Sequence, residues 1–248
     1  MPVQTSVAES IATVAFGGTK GNSLPGALLR ELASTVESTA KRADVNVIVL
    51  RSEGDGPFCA GASFDELKAI ADEKSGKEFF LGFAGVILAM TRAPKPIIVR
   101  VQGKTVGGGV GVAAAADYAI ATRGASIRLS ELAVGIGPFV VGPVIEHKVG
   151  RGAYSALALD ADWRDAEWAE RHGLYARVME TTGEVDEAVA ALAKKLAAAN
   201  PEAVAKIKQT IWANTDHWAK LLDERAAMSG KLVLSSFTRD AIAGFERR

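Results

Sequence analysis

The chain has 248 residues, of which 48% are hydrophobic and 23% are charged, and this composition is typical of a globular protein and not of a disordered one. Its 29 basic and 29 acidic residues give a formal net charge of zero, so no basic excess favours binding to nucleic acid. The single cysteine, Cys59, excludes an internal disulfide framework and suits a reducing compartment.

The N-terminal segment has no basic start followed by an apolar core, so we expect no secretory signal. The longest apolar run, Val106–Ala116, is roughly half of the ~20 residues that span a bilayer. We therefore expect a cytoplasmic protein that does not cross a membrane.

Strands and helices alternate through the first half of the predicted fold. The pattern predicts strands at 3–9 and 11–16, a helix over 24–43, a strand at 45–51, a loop at 52–63, helices over 64–92 with a break near Ser75-Gly76, and a strand at 96–101. Two short strands follow at 117–122 and 125–130, and from Phe139 onward the pattern is almost entirely helical. This order predicts an α/β core with a helical C-terminal region.

Two details complete the predicted fold. Asp117 ends a short helix and starts a strand, and we interpret it as a structural hydrogen-bond acceptor. The segment 202–246 is amphipathic, which indicates either a helical cover for the core or a contact between subunits.

The stretch TVGGGVGVAAAADYA (105–119) is unusually rich in glycine. A G-x-G-x-x-A pattern at 109–114 is compatible with a dinucleotide-binding turn, and Glu131 lies 20 positions after Gly111. However, only about six residues can be helical before Asp117, whereas a parallel crossover usually needs a dozen or more. A membrane helix fails on length, and a flexible linker would not be flanked by an apolar strand and helix.

A sharp turn from strand to helix remains, and it would present backbone N–H groups to an anionic oxygen. The alternative is that the glycines only allow close packing of helix on strand. The segment FCAGAS (58–63) has the same small-residue character at a second loop–helix junction. N–H groups from two such turns can converge on one carbonyl oxygen, which is how an oxyanion hole is built.

Three segments together resemble the enoyl-CoA hydratase/isomerase (crotonase) superfamily. They are GPFCAGASFDEL (56–67), PKPIIVRVQGKTVGGGVGVAAAADYAIAT (94–122) and IRLSELAVGIGP (127–138). The resemblance implies a crotonase-like spiral of ββα units over residues 1–190 and a helical trimerisation region over 191–248. It also implies an acyl-CoA thioester substrate, a homotrimer or dimer of trimers, and no metal or other cofactor.

The resemblance also implies the roles of individual residues. The oxyanion N–H groups fall on Ala62 and Gly108, and Glu131 matches a catalytic glutamate. The residues expected to contact the substrate are Asn22, Ala60, Ser63, Phe64, Gly107, Gly111, Phe139 and, through a loose C-terminal match, Phe245.

One position departs from the pattern of the superfamily. Gly111 stands where the hydratases carry their first catalytic glutamate, so Glu131 is left as a single carboxylate. We expect a hydratase that adds water to a 2-enoyl-CoA, as in fatty acid metabolism, through an oxyanion-stabilised enolate. A Δ3,Δ2-enoyl-CoA isomerase with the same base is the alternative, and a non-catalytic acyl-CoA-binding protein is a second one.

Overall fold

Nine strands and ten helices are found in residues 3–17 and 20–245, which the computed structural model describes. The strands are β1 (Gln4–Ala8), β2 (Ile11–Phe16), β3 (Val47–Ser52), β4 (Ile97–Val101), β5 (Thr105–Val106), β6 (Tyr118–Thr122), β7 (Ser126–Arg128), β8 (Arg164–Asp165) and β9 (Arg177–Met179). The helices are α1 (Gly26–Ala40), α2 (Phe64–Ala69), α3 (Glu73–Arg92), α4 (Gly108–Ala114), α5 (Gly142–Asp160), α6 (Ala166–Arg171), α7 (Thr182–Ala197), α8 (Pro201–Ile211), α9 (Trp218–Leu232) and α10 (Ser236–Phe245). Short 3-10 turns lie at Lys20–Asn22 and Leu132–Val134.

The main sheet has six strands in the order β1-β2-β3-β4-β6-β9. β1 and β2 form an antiparallel hairpin, as predicted, and every later neighbour in this sheet pairs in parallel. A smaller sheet joins β5, β7 and β8. The predicted combination of a parallel α/β core with a helical C-terminal region is confirmed.

The two faces of the main sheet pack into different apolar clusters. Ile48 and Leu50 of β3 belong to the larger cluster with α1, α3 and α4, whereas Val47 and Val49 belong to a smaller one beneath α7. Successive side chains of a strand point to opposite faces, so a strand that is covered on both sides reads as a continuous apolar run. For this reason the run at 45–51 marks a buried strand.

The predicted helix break at Ser75-Gly76 is wrong. The break lies between Ala69 and Glu73, and Asp72 caps α3 through a reciprocal capping box with Ser75. Gly76 lies inside α3, and a side chain is not tolerated there because a Cβ would be 2.8 Å from the Cα of Gly230 on α9. This glycine therefore permits a close helix crossing and does not end the helix.

The prediction of an almost entirely helical chain after Phe139 is also wrong in part. β8 joins the small sheet, and β9 adds the edge strand of the main sheet beside β6.

Helix α7 packs on β3, β4 and β6 and runs from Thr182 to Ala197, so a boundary between residues 190 and 191 falls inside it. Among the described residues, no helix has both the length and the apolar character that crossing a bilayer requires.

Asp117 is a structural hydrogen-bond acceptor, as predicted. Its Oδ2 accepts from the backbone N–H of Ile97 and from Nζ of Lys208, both at 2.7 Å, and its Oδ1 accepts from Nε1 of Trp212 at 2.7 Å. Lys208 is 3% exposed and also donates to the carbonyls of Met90 and Lys95. This network attaches α8 to the end of the main sheet.

Candidate active site

The glycine-rich turn joins β5 to α4. Gly107 has φ 53° and ψ −119°, a conformation that residues with a side chain rarely adopt, and its N–H donates to the carbonyl of Arg128 on β7. A Cβ at Gly107 would lie 3.0 Å from Oε1 of Glu131. Glycine is thus needed for the turn and for the close approach of the carboxyl group.

The second turn, at residues 58–63, lies against the first. The backbone of Cys59 bridges to Thr105, with the N–H of Val106 donating to the Cys59 carbonyl at 2.8 Å. Gly61 has φ 88°, and a Cβ there would be 2.9 Å from the carbonyl oxygen of Val106 and 3.9 Å from the amide nitrogen of Gly108. The two turns that the sequence singles out are therefore in contact.

Ala62 and Gly108 carry the two candidate oxyanion N–H groups. Within the described residues, neither N–H donates a backbone hydrogen bond, because Gly108 opens α4 and the bridge between Leu24 and Ala62 uses the neighbouring groups. Both residues line one cleft together with Glu131. Two residues whose N–H groups have no backbone acceptor among the described residues thus lie at the same cleft as a carboxyl group.

The cleft is mostly apolar, and its empty volume, including the open mouth, is about 590 Å³. Its apolar side chains come from α2, α3 and the segment that leads into α5; the larger ones are Phe64, Leu67, Phe80, Phe83, Val134, Ile136, Pro138, Phe139, Val140 and Val141. The polar side chains of the described lining are those of Ser130, Glu131 and Ser229. Such walls suit an apolar group and give the carboxyl group a largely apolar environment.

Glu131 follows β7 and immediately precedes the 3-10 turn Leu132–Val134. Its Oε2 is buried and has no hydrogen-bond partner within the described residues. Burial disfavours the charged form and raises the pKa of this carboxyl group from 4.5 to about 7. A group with this pKa can give and take a proton near neutral pH, as a general acid–base catalyst must.

Residues 6–244 match the family model described as "Enoyl-CoA hydratase/isomerase". The chain belongs to this family. It is 31% identical to the mitochondrial methylglutaconyl-CoA hydratase of Rattus norvegicus over 67% of this chain and 53% of that protein. It is also 29% identical to a short-chain-enoyl-CoA hydratase of Clostridium acetobutylicum, over 77% of this chain and 72% of that one. The match to the rat protein spans about half of that relative's length.

The fold is shared with solved structures. An enoyl-CoA hydratase from Bacillus halodurans superposes with a TM-score of 0.91 at 20% identity and covers 98% of this chain and 100% of its own. The resemblance to the enoyl-CoA hydratase/isomerase family and the crotonase-like fold predicted from it are confirmed.

Position 111 has no room for a side chain. A Cβ at Gly111 would lie 2.5 Å from Cγ1 and 2.8 Å from Cβ of Val141. Val141 precedes α5 and lines the cleft, whereas Gly111 is buried behind it. Within the described lining, Glu131 is accordingly the single ionisable side chain.

The other predicted site residues divide into three groups. Ala60, Phe64, Gly107 and Phe139 line the cleft. The side chain of Phe245, at the end of α10, lies outside the described part of the structure.

Asn22, Ser63 and Gly111 do not line the cleft. The Nδ2 of Asn22 donates to the carbonyls of Glu53 and Pro57, so this residue braces the loop before Ala62. Ser63 caps α2 by accepting from the N–H of Glu66.

Sequence reasoning missed the wall that Phe80, Phe83 and Val141 contribute. The helical spacing of the phenylalanines marks an apolar face but does not indicate what that face covers.

No cluster of three or more His, Cys, Asp or Glu side chains suited to a metal ion occurs in residues 3–17 and 20–245.

Proposed function

We propose that the protein adds water to a 2-enoyl-CoA thioester, with Glu131 as its single acid–base group. The observation that carries this proposal is the juxtaposition of Glu131, whose burial raises its pKa to about 7, with the unpaired N–H groups of Ala62 and Gly108 in one cleft. The names of the relatives, which are hydratases, agree with it.

The proposed reaction has two steps. First, ionised Glu131 takes a proton from water while the water oxygen bonds to C3, and the electron pair of the C2=C3 bond moves onto the thioester oxygen. The N–H groups of Ala62 and Gly108 donate to this developing oxyanion, an interaction that typically contributes ~3 kcal/mol per donor. Then the enolate collapses, and C2 takes the proton from Glu131, which returns to its ionised form.

The substrate is an acyl-CoA with an apolar acyl group, since the described walls of the cleft carry aromatic and aliphatic side chains and no cationic one. A second acidic group on the acyl chain would meet Glu131 without a counter-charge. No metal or redox cofactor takes part in the proposed steps.

Isomerisation of a 3-enoyl-CoA to a 2-enoyl-CoA is a second candidate, favoured by the filled space at position 111. A single base suffices for it, because Glu131 removes a proton from C2 and returns it to C4 through the same enolate. Hydration by one carboxylate requires that this group both take a proton from water and give a proton to C2.

An activity assay distinguishes these reactions. Purified protein is offered a 2-enoyl-CoA and a 3-enoyl-CoA separately, and the absorbance of the conjugated thioester is followed. We expect the signal to disappear with the first substrate; its appearance with the second would assign the isomerase. If neither signal changes with simple acyl chains although acyl-CoA binds, the protein either requires a specialised acyl group or is a non-catalytic acyl-CoA-binding protein. Glu131→Gln should lower turnover ~10²-fold or more while leaving acyl-CoA affinity nearly intact, because only proton transfer is removed.

A further inference from the structure

A second groove lies on the side of the main sheet that α7 covers. It is formed by β1, β2, β3, β4 and α7, and its apolar floor includes Val49 and Val189 of the smaller cluster. It shares no lining residue with the cleft that holds Glu131. We call it the arginine groove, because Arg51 and Arg100 both line it.

Arg51 and Arg100 are register partners on the adjacent parallel strands β3 and β4. Partners in register project from the same face of a sheet, so the two side chains start about 5 Å apart. Two cations placed side by side and away from bulk water repel each other unless anionic groups compensate them. The hydrogen-bond partners of the two guanidinium groups therefore decide whether this pair of charges is compensated within the chain.

Asp186 of α7 compensates Arg100 only in part. Arg100 is 3% exposed, and its Nε and Nη2 donate to the carboxylate of Asp186 at 2.8 and 3.1 Å. Its Nη1 is buried and has no partner within the described residues. A buried donor without an acceptor destabilises the fold, so an added acceptor at this position would be favourable.

Arg51 has no compensating carboxylate in the part of the chain that the structure describes. Its Nε is buried and unpartnered, and no ion pair forms at its guanidinium group among residues 3–17 and 20–245. Lys194 adds a third cation to the groove, against the two carboxylates of Glu9 and Asp186. The groove thus has one excess positive charge and two buried N–H donors that lack acceptors.

We propose that the arginine groove binds a small oxyanion, a phosphate or a carboxylate, between Arg51 and Arg100. Such an ion offers several acceptor oxygens, so one can accept from Nε of Arg51 and another from Nη1 of Arg100. Its charge matches the excess of one. The groove shares no lining residue with the cleft proposed to hold the acyl group.

The test is calorimetric titration of the full chain, without acyl-CoA, with inorganic phosphate and with acetate, each against sodium chloride at equal ionic strength. We expect saturable binding of at least one of the two oxyanions with one site per chain. Arg51→Gln should weaken this binding tenfold or more. Arg42→Gln, which removes the same charge from an exposed pair with Asp44, should change it less than twofold.

Binding no stronger than the chloride control overturns the proposal, as does a folded Arg51→Gln variant that binds like the wild type. If Arg51→Gln fails to fold, crystals of the wild-type protein grown with phosphate or acetate decide the question. Density for the ion between Arg51 and Arg100 supports the site, and water alone at those donors overturns it. Neither measurement depends on turnover, so the proposed reaction can fail while this site stands.

Discussion

Burial of Glu131 affects both the protonation of its carboxyl group and the stability of the fold. The apolar walls that raise its pKa to about 7 make it a proton donor and acceptor suited to neutral pH, but they also oppose its ionised form. The folded protein therefore holds a proton at Glu131 over a pH range in which the unfolded chain has released it. Folding stability must fall as the pH rises through that range.

The change Glu131→Gln tests this linkage. Because the pKa is raised on folding from 4.5 to about 7, the carboxyl group lowers the free energy of unfolding between those pH values, by up to ~3 kcal/mol above pH 7. We expect the variant to gain stability relative to the wild type as the pH rises from 4.5 to 8. Urea unfolding at several pH values measures the difference.

Glu78→Gln, which makes the same chemical change at an exposed position of α3, is the matched control. If the stability difference between Glu131→Gln and the wild type changes with pH no more than that of the control, the carboxyl group of Glu131 is not buried and uncompensated in the folded protein.

At the scale of elements, the contact between α4 and the start of α5 excludes a second carboxylate. A Cβ at Gly111 would lie 2.5 Å from Cγ1 of Val141, so position 111 can gain a side chain only if Val141 yields space. The absence of a carboxylate at position 111 is thus tied to the packing of two segments.

A double-mutant cycle on Gly111→Ala and Val141→Gly measures this contact. We expect each single change to cost ~1–3 kcal/mol of unfolding free energy, by overpacking and by a cavity respectively. The double variant should lose at least ~1 kcal/mol less than the sum, because the new methyl group occupies the space that the valine leaves. Urea unfolding gives all the values.

Gly152→Ala, on α5 with no atom within 4 Å of the added Cβ, is the control for helix propensity. It should be neutral or stabilise the protein by up to ~1 kcal/mol. Additive effects of Gly111→Ala and Val141→Gly would show that the two side chains do not share one space.

The elements differ in how well the sequence predicts them. β3 and β4 are recognisable because burial on both faces leaves continuous apolar runs. β9 is not, because it has only three residues and begins with an exposed arginine. Gly76 misleads because its contact with Gly230 on α9 is a tertiary packing requirement, which local sequence does not contain.

The candidate site shows the same division. The two small-residue turns and Glu131 lie in recognisable segments, so the sequence predicts their convergence. The role of Val141 and the pairing of Arg51 with Arg100 depend on which segments face one another in the fold. Single-sequence patterns carry no such information, and they equally leave out the hydrogen bonds by which Asn22 braces the loop before Ala62.

At the scale of the whole molecule, large apolar side chains remain exposed on several C-terminal helices. Leu159 is 71% exposed, Phe237 66% and Ile207 61%. Exposed apolar surface of this kind often marks contacts between proteins. We propose that these side chains form contacts between subunits, in the homotrimer or dimer of trimers that the family resemblance implies.

Light scattering coupled to size-exclusion chromatography measures the assembly. We expect a mass of three or six times the 25.9 kDa of one chain, maintained at micromolar protein concentration. A mass of one chain under these conditions would refute the proposal, and a mass of two chains would require a different arrangement of the exposed helices.

The crossing of α3 and α9 has a consequence for engineering. Both helices line the cleft, through Phe80 and Phe83 of α3 and Ser229 of α9, and the contact between Gly76 and Gly230 leaves no room for a side chain between their backbones. Libraries that aim to accept bulkier acyl groups should therefore truncate the phenylalanines and leave the helix spacing untouched. For the same reason, a shortened catalyst that ends before α9 would lose one wall of its own pocket.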